Sequence, residues 1–228
     1  MKYSFESYVR YSEIGEDRNL TLNSAINYFQ DCSTFHSEHA GVGIDYLQEK
    51  NRVWVLSSWQ IIVERYPKLC ERIKITTWPY AFKRFLGSRN FTMEDESGAT
   101  VAYANSLWTY LDLETGMPVN VSEQQIAAYT LEEKYPMEYA PRKIKMPQDT
   151  VEYESFPVRP HHLDTNHHVN NGQYVAMAEE YVPADFCVHQ MRAEYKGQAV
   201  LGNMIVPKVK REQGLCTVAL CSENGEPY

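Results

Sequence analysis

Apolar and polar positions change their spacing along the chain, and each change predicts a new element. Residues 3–11 have the alternation of a strand and run into a polar turn. A helix is then predicted with Thr21 as its N-cap, because apolar residues recur three and four positions apart. These residues are Leu22, Ala25, Ile26, Phe29 and Cys32. Four extended runs follow, at 53–63, 73–77, 88–94 and 100–111.

The regular spacing of apolar and polar positions ends after residue 113 and begins again after residue 150. Residues 114–150 are predicted to be a linker with a short helix within 121–135, because four prolines interrupt them: Pro118, Pro136, Pro141 and Pro147. The second half is predicted as a strand at 151–159, a polar turn at 160–169, a helix from Asn171, and extended runs at 188–195, 203–210 and 215–221. One face of this second helix carries Tyr174, Met177, Ala178 and Tyr181.

The two halves match at a constant offset of 149 positions. Val9-Arg10 falls on Val158-Arg159, and Thr21 falls on Asn170, so each predicted helix takes its N-cap from the same repeat position. We therefore predict two units, each a long helix wrapped by an antiparallel sheet, at residues 1–113 and 151–228 with a linker at 114–150. Two unrelated α+β halves are the alternative.

The second half ends one strand early in this repeat. Glu96-Ser97-Gly98 parallels Glu223-Asn224-Gly225, and only the first half continues into a further strand. Either the chain is shortened at its C-terminus, or the final strand is absent and a sheet edge is left exposed.

Composition narrows the class of protein. With 43% hydrophobic and 23% charged residues the chain is globular, and a net charge of −8 argues against a general nucleic-acid binder. It has no run of eighteen apolar residues and no secretory start, so we expect a cytoplasmic protein without membrane insertion. Five cysteines without a C-x-x-C pair predict neither a disulfide framework nor a zinc site.

Two basic spots lie within this acidic chain. One is Lys83-Arg84 with Arg89 nearby, and the other is Arg142-Lys143-Ile144-Lys145. Such spots are either solvated surface charge or a docking surface for an acidic partner. The residues alone leave both interpretations open.

Residues 161–171, just before the second predicted helix, are rich in polar and ionisable side chains. They hold four of the seven histidines, one carboxylate and three carboxamides. Backbone N–H groups at a helix start can hold a developing oxyanion, and a histidine oriented by Asp or Asn can act as general base. The first half does not reproduce Asp164, Asn166 and His168, so one site per chain is expected. Their counterparts at the repeat offset are Gly15, Asp17 and Asn19.

The same segment has other interpretations. Adjacent histidines in a turn seldom converge on one ion, and no H-E-x-x-H spacing is present, so no metal site is predicted. A capped surface turn with incidental histidines is the simplest non-catalytic interpretation. A serine nucleophile is not indicated, because no G-x-S-x-G occurs.

This segment resembles a motif of the acyl-acyl-carrier-protein (acyl-ACP) thioesterases, plant and bacterial. The motif is D-x-N-x-H-V-N-N followed by an aromatic residue, present here as Asp164, Asn166, His168, Val169, Asn170, Asn171 and Tyr174. The first half also looks like that family at 27–33, 52–56 and 104–108. The resemblance implies an α+β double hotdog, with two tandem hotdog units in one chain. It further implies hydrolysis of the thioester between a fatty acyl chain and the phosphopantetheine arm of acyl carrier protein, in fatty acid biosynthesis and without a cofactor.

The resemblance also assigns catalytic roles. Asp164, Asn166 and His168 are implied to activate a water or nucleophile, and a further acid is expected on the next strand in a Tyr-x-x-Glu spacing. The matching position after Tyr195 is Gln198. An amide can orient water but cannot take a proton, so Asp164 or His168 would be the base. Glu194 is an alternative acid, since strand alternation would put it on the same face as Gln198.

The first half is expected to bind the acyl chain. Its aromatic residues either line an apolar tunnel or form plain core, and the candidates are Phe29, Trp54, Trp59 and Trp108. Because acyl carrier protein is acidic, the basic spots are expected to dock it, through Lys83, Arg84, Arg142 and Lys143. The alternatives are an acyl-CoA thioesterase on the same fold and a non-catalytic acyl or acyl-carrier-protein binding module. Monomer and homodimer both stay open.

Overall fold

The computed structural model describes residues 1–228, which divide into two compact units. Unit 1 comprises Met1–Ala140 with Val188–Arg192, and unit 2 comprises Pro141–Cys187 with Ala193–Tyr228. Both mix helices with antiparallel sheets, as the α+β prediction requires. No helix combines the length and the apolar character that crossing a bilayer requires.

Unit 1 is a long helix on an antiparallel sheet. Its elements are β1 (Tyr3–Tyr8), α1 (Leu22–His39), α2 (Ile44–Glu49), β2 (Arg52–Val63), β3 (Arg72–Lys83), β4 (Leu86–Asp95), β5 (Thr100–Asp112) and α3 (Glu123–Ala127). The strand order is β1-β3-β4-β5-β2, and β8 (Gln190–Glu194) follows β2 at the edge. Val188–Arg192 belong to this unit because His189 O accepts from Val63 N at 2.8 Å and Val188 O accepts from Tyr66 Oη at 2.7 Å.

Helix α1 begins where its sequence predicts. The Thr21 hydroxyl accepts the Ser24 N–H at 3.1 Å, which satisfies one of the unpaired donors of the first turn. The apolar face is buried, and the Phe29 ring lies 5.3 Å from Phe91 and 6.3 Å from Trp59 between ring centroids. We call the sheet face that carries Phe91 and Trp59 the inner face.

A β-bulge in β2 keeps the aromatic residues on the inner face. The register with β5 shifts between Leu56 and Ser58, so Trp54 and Trp59 share one face although five positions separate them. Without the bulge, the period of two would turn one of these indoles to the outer face. Gly87 gives Trp54 room, because a Cβ at that glycine would lie 3.1 Å from the indole.

The outer face of this sheet holds the segment that follows β5. Gln60, Asn90, Asn105 and Trp78 form one cross-strand row on that face. Its bonds to the segment are Trp78 Nε1 to Glu133 O at 2.8 Å, Tyr135 N to Asn90 Oδ1 at 3.1 Å, Gln60 Nε2 to Glu138 O at 2.9 Å and Ala140 N to Gln60 Oε1 at 2.9 Å. Residues 114–140, which the sequence suggested as linker, therefore fold as part of unit 1.

Unit 2 is smaller. Its remaining elements are β6 (Val151–Glu152), β7 (Phe156–Pro157), α4 (Asn171–Glu179), β9 (Met204–Glu212) and β10 (Leu215–Cys221), with β9 between β10 and β6 and also paired with β7. Its core comprises Val158, Val169, Tyr174, Met177, Ala199, Ile205 and Leu220. Two predictions differ here: the strand at 151–159 is two short pieces, and α4 ends before Tyr181.

The repeat extends to the turn before each helix. A short 3₁₀ turn at Tyr11–Glu13 matches one at Pro160–His162. The bridge between Ile14 and Leu20 likewise matches the bridge between Leu163 and Val169. Even the positive φ of 63° at Arg18 recurs as 62° at His167. The offset of 149 is confirmed as a structural repeat of the turn that leads into each central helix.

Candidate active site

Asp164 organises the loop that carries the predicted chemistry. Its Oδ1 accepts the Asn166 N–H at 2.8 Å and the His168 N–H at 3.3 Å. Its own N–H donates to His168 O at 2.8 Å, which closes the loop. Asp164 and His168 are half-buried and Asn166 is exposed. The three predicted residues therefore lie together on one compact loop of unit 2.

The loop ends at the N-terminus of α4. The Asn170 side chain accepts the Gly172 N–H at 2.8 Å, which confirms its predicted role as N-cap. Its backbone N–H donates to His162 O at 2.8 Å, which holds the start of the helix against the preceding turn. The site therefore lies beside the positive end of the dipole of α4.

The segment after β8 is bonded to this loop and helix. Val169 N–H donates to Ala199 O at 3.0 Å, and Ala199 N–H donates to Tyr174 Oη at 2.8 Å. The Tyr195 hydroxyl donates to Asn171 O at 3.0 Å. Burial raises the pKa of Tyr174 to about 12 and the pKa of Tyr195 still further, so both phenols stay protonated at neutral pH.

Gln198 lies beside the loop, but not for the reason that strand alternation suggests. Strand β8 ends at Glu194, and Gln198 is exposed in the irregular segment that follows. His168 and Val200 form an antiparallel bridge, and continuing this register by two residues puts Gln198 opposite Asn170. Its closeness to the helix mouth comes from this bridge.

The expected common face of Glu194 and Gln198 is wrong. The period of two holds only within a strand, and β8 stops at Glu194. The Glu194 carboxylate accepts the Ile144 N–H at 2.8 Å and lies 3.9 Å from the Lys196 ammonium, with its side chain only 9% exposed. The Glu194 carboxylate is already engaged by these two groups, so it is a weaker candidate acid than the sequence suggests.

The remaining histidines of the segment have local partners. The rings of His161 and His162 lie 4.2 Å apart. His162 Nδ1 accepts the Arg159 N–H at 3.0 Å, so this nitrogen is already engaged. Burial, with the positive charge of neighbouring groups, lowers the pKa of His162. His167 is exposed and supplies the left-handed turn residue of the loop.

The matching loop of unit 1 is closed by its own side chains. Asn19 stands where unit 2 has His168, and its N–H and Nδ2 donate to the two Asp17 carboxylate oxygens at 3.0 and 2.8 Å. These bonds lower the pKa of Asp17. Gly15 replaces Asp164, so this loop lacks both the organising carboxylate and the imidazole.

Three aromatic candidates for acyl binding, Trp54, Trp59 and Trp108, lie on the inner face of unit 1, and Phe29 packs against that face from α1. Phe29 and Trp59 are buried, and the Trp59 ring lies 5.0 Å from Phe91. Trp54 and Trp108 are half-buried, with the Trp108 indole N–H donating to Ser106 Oγ at 2.7 Å. The inner face therefore carries three indole rings with the polar Ser106 among them.

The two basic spots differ from expectation at one residue. Lys83 and Arg84 are exposed at the turn between β3 and β4, and Arg142 and Lys143 are exposed in unit 2. Arg89 is buried at 8% exposure on the inner face, so it is no part of a docking surface. Its placement follows from the pairing of β4 with β3 and β5, which the local sequence does not encode.

Glu179 is a residue that the sequence pattern did not single out. It lies in the last turn of α4, and burial raises its pKa to about 7. Its spacing of eight from Asn171 places it two turns along the same helix face, since positions four apart overlie one another. That spacing is the only signal in the sequence that could have identified it.

Comparison with known proteins places both halves in one family. The acyl-ACP thioesterase N-terminal domain matches residues 1–129, and the C-terminal domain of the same family matches residues 145–220. A palmitoyl-acyl carrier protein thioesterase of Arabidopsis thaliana is 26% identical over 82% of this chain and 50% of its own length. An oleoyl-acyl carrier protein thioesterase of the same plant is 23% identical over 81% of this chain and 56% of its own length. The chain spans about half the length of the curated relatives it matches.

Two solved structures superpose on nearly the whole chain. An acyl-ACP thioesterase from Bacteroides thetaiotaomicron superposes with a TM-score of 0.90 at 22% identity, covering 99% of this chain and 94% of that one. A 12:0-ACP thioesterase from Umbellularia californica gives 0.87 at 19% identity, with coverage of 99% and 94%. These likenesses confirm the predicted double hotdog fold. Since family domains match both halves, the chain belongs to the acyl-ACP thioesterase family.

Proposed function

We propose that this protein hydrolyses the thioester of fatty acyl-acyl carrier protein and releases a free fatty acid. The observation that carries the proposal is the loop at the mouth of α4, where one carboxylate holds Asn166 and His168 in place. Family membership and the names of the matched thioesterases support the same reaction.

The proposed chemistry begins with a water molecule. His168 removes a proton while the water oxygen attacks the thioester carbonyl carbon, and the carbonyl oxygen becomes an oxyanion. The positive end of the α4 dipole favours this developing charge. When the C–S bond breaks, the proton passes from His168 to the leaving sulfur, so the products are a carboxylic acid and the thiol of the carrier arm.

His168 is the better candidate base because Asp164 has another task. Asp164 Oδ1 already accepts two backbone N–H groups, which makes this residue the organiser of the loop. Asn166 and Gln198 are exposed carboxamides beside the loop, suited to orient water by hydrogen bonds but unable to take its proton.

The acyl chain and the carrier protein are assigned to different surfaces. The inner face of unit 1, with Trp54, Trp59 and Trp108, is proposed to hold the chain together with Phe29 of α1, which packs against that face. Lys83, Arg84, Arg142 and Lys143 are proposed to attract the acidic carrier protein through long-range electrostatics. Each of these four basic residues is exposed.

The proposed reaction is tested by thiol release. The purified protein is incubated with acyl carrier protein loaded with saturated chains from about eight to eighteen carbons, and free thiol is measured, with acyl-CoA in parallel. Faster turnover of the carrier-protein thioesters is expected. Equal turnover of acyl-CoA would favour a coenzyme A thioesterase, and retention of acyl carrier protein without thiol release would indicate a binding module.

A further inference from the structure

Gln198 lies in a segment outside the strands of the fold. Strand β8 ends at Glu194, and residues 195–199 have no regular secondary structure. A segment without a full ladder of hydrogen bonds keeps one position only where other contacts hold it. Gln198 nevertheless lies opposite Asn170, at the start of α4. The contacts that hold the segment there therefore determine where the Gln198 amide lies.

One anchor joins the beginning of this segment to α4. The Tyr195 hydroxyl donates a hydrogen bond to Asn171 O at 3.0 Å. Burial raises the pKa of Tyr195, so the phenol stays protonated and able to donate throughout the neutral range. Asn171 is the first residue of α4, so this anchor lies in the helical turn that follows the loop at 164–168.

A second anchor joins the end of the segment to the same turn of α4. The Ala199 N–H donates to Tyr174 Oη at 2.8 Å, and both residues are buried. Tyr174 is three residues after Asn171, which is within one helical turn. Residues 196–198 therefore connect two points that are both fixed to one turn of one helix.

The Tyr174 hydroxyl takes the place of a backbone acceptor. His168 and Val200 form an antiparallel bridge. Next to this bridge, the Val169 N–H donates to Ala199 O at 3.0 Å. In a regular antiparallel pair the Ala199 N–H would donate back to Val169 O, but here it donates to Tyr174 Oη. A side chain, and not the backbone ladder, therefore fixes this end of the segment.

Aromatic rings support the segment from the core of unit 2. The Tyr174 ring lies 6.0 Å from Tyr195 and 6.3 Å from Tyr228 between ring centroids. A Cβ at Gly197 would lie 3.5 Å from the Tyr228 ring, so the middle of the segment lies against that ring. Replacement of Tyr174 or Tyr195 by Phe keeps the ring and removes only the hydroxyl. Each anchor can therefore be removed without opening a large cavity.

We infer that Tyr174 and Tyr195 are positioning residues, which hold Gln198 at the mouth of α4 where its amide orients the attacking water. The inference rests on the proposed thioesterase function, in which Gln198 is suited to that task. Misplacement of an orienting group by about 1 Å slows a reaction by up to about 10²-fold. Neither phenol needs to touch the substrate, because each acts through the backbone of the segment.

A double-mutant cycle tests whether Tyr174 acts through Gln198. Tyr174→Phe should lower kcat for acyl-acyl carrier protein by about tenfold with little change in KM, because the hydroxyl takes no part in substrate binding. In the Gln198→Ala background the same replacement should change kcat by less than about twofold, since no orienting amide is left to misplace. Equal losses in both backgrounds would overturn the inference, and so would a wild-type kcat in Gln198→Ala.

Two further variants separate positioning from packing. Tyr195→Phe removes the other anchor, and its effect on kcat should show the same dependence on Gln198. Tyr181→Phe is the matched control, because Tyr181 is a half-buried tyrosine of unit 2 whose ring packs on Tyr153 at 5.0 Å. It should leave kcat unchanged. A loss in Tyr181→Phe as large as that in Tyr174→Phe would overturn the positioning role, because it would reflect a general loss of packing.

Amide exchange keeps this inference independent of catalysis. The Ala199 N–H should exchange about tenfold faster in Tyr174→Phe than in wild type, because its acceptor is lost, whereas Tyr181→Phe should not change the rate. Unchanged exchange in Tyr174→Phe would show that the phenol does not hold the segment. If wild type hydrolyses no thioester but the exchange rises, the proposed reaction fails and the anchor stands. If thioesters are hydrolysed and the two replacements are additive, the positioning role fails alone.

Discussion

Asp164 and His168 are joined by two hydrogen bonds through the backbone of one loop. The Asp164 carboxylate accepts the His168 N–H at 3.3 Å, and the Asp164 N–H donates to His168 O at 2.8 Å. The backbone position of His168 therefore depends on the carboxylate four residues earlier. Asp164 therefore has a positioning role in the loop, and this role can be tested separately from a chemical role of its charge.

Replacement of Asp164 should distinguish these roles. Asp164→Asn keeps an acceptor oxygen for the two N–H groups, so the loop should keep its fold, but loss of the charge should lower kcat by on the order of 10². Asp164→Ala should lose comparable activity and also about 1 kcal/mol of stability. Steady-state kinetics and urea unfolding measure both. Full activity in Asp164→Asn would mean that the carboxylate only positions the loop.

His168 is expected to be the general base. His168→Ala should lower kcat by on the order of 10² or more while KM changes little, because proton removal contributes mainly in the transition state. His167→Asn is the matched control, since His167 is exposed at a φ of 62° that Asn tolerates. Thiol release by both variants is compared with wild type. Unchanged turnover in His168→Ala would remove this residue from the chemistry.

Replacement of Gln198 by Glu is predicted to raise the activity. Because the side chain is exposed and level with Asn170, Gln198→Glu should place a carboxylate beside the loop without a burial penalty. A carboxylate can take a proton that an amide cannot, so we expect kcat to rise by roughly tenfold at neutral pH. Gln198→Ala should lower kcat instead. If the two variants behave alike, position 198 takes no part in catalysis.

Local chemistry explains what the sequence could predict of the fold and the site. Thr21 and Asn170 cap their helices through bonds that span two or three residues, so the residue types alone indicate them. Asp164 organises its loop over four residues by the same kind of contact. The helix starts, the turn before each helix and the loop at 164–168 were therefore predictable.

Long-range pairing explains what the sequence could not predict. Arg89 is buried because β4 lies between β3 and β5, and residues near Glu133 join unit 1 because Trp78 holds them from 55 positions away. Gln198 reaches the loop through a bridge between His168 and Val200 after β8 has ended. None of these contacts leaves a periodic signal in the residues around it.

The exposed basic residues predict a dependence on salt. Charge reversal of Lys83 and Arg84 to Glu should raise KM for acyl-acyl carrier protein by roughly tenfold at low salt, because it replaces attraction by repulsion. The effect should shrink at a few tenths molar salt, where the Debye length falls below about 8 Å. An acyl-pantetheine substrate and the control variant Lys50→Glu, also at an exposed site, should show no such change. A salt-insensitive KM would contradict this docking surface.

Glu179 predicts how stability changes with pH. Burial raises its pKa from 4.5 to about 7, so the folded protein holds a proton that the unfolded chain has already released above pH 4.5. The contribution of Glu179 to the free energy of unfolding is therefore fully present below pH 4.5, and it is lost as the pH rises through about 7. Glu179→Gln should exceed wild type in free energy of unfolding by on the order of 2 kcal/mol at pH 8, and by much less near pH 5.

Urea unfolding at both pH values measures this difference, with Glu180→Gln as the matched control. Glu180 is the exposed neighbour of Glu179 at the end of α4, so its replacement should leave the pH dependence unchanged. Comparing each variant with wild type at the same pH cancels the titration of the other carboxylates. An equal gain for Glu179→Gln at both pH values would show that the carboxyl of Glu179 is not held protonated by burial, because a constant gain reflects packing and not ionisation.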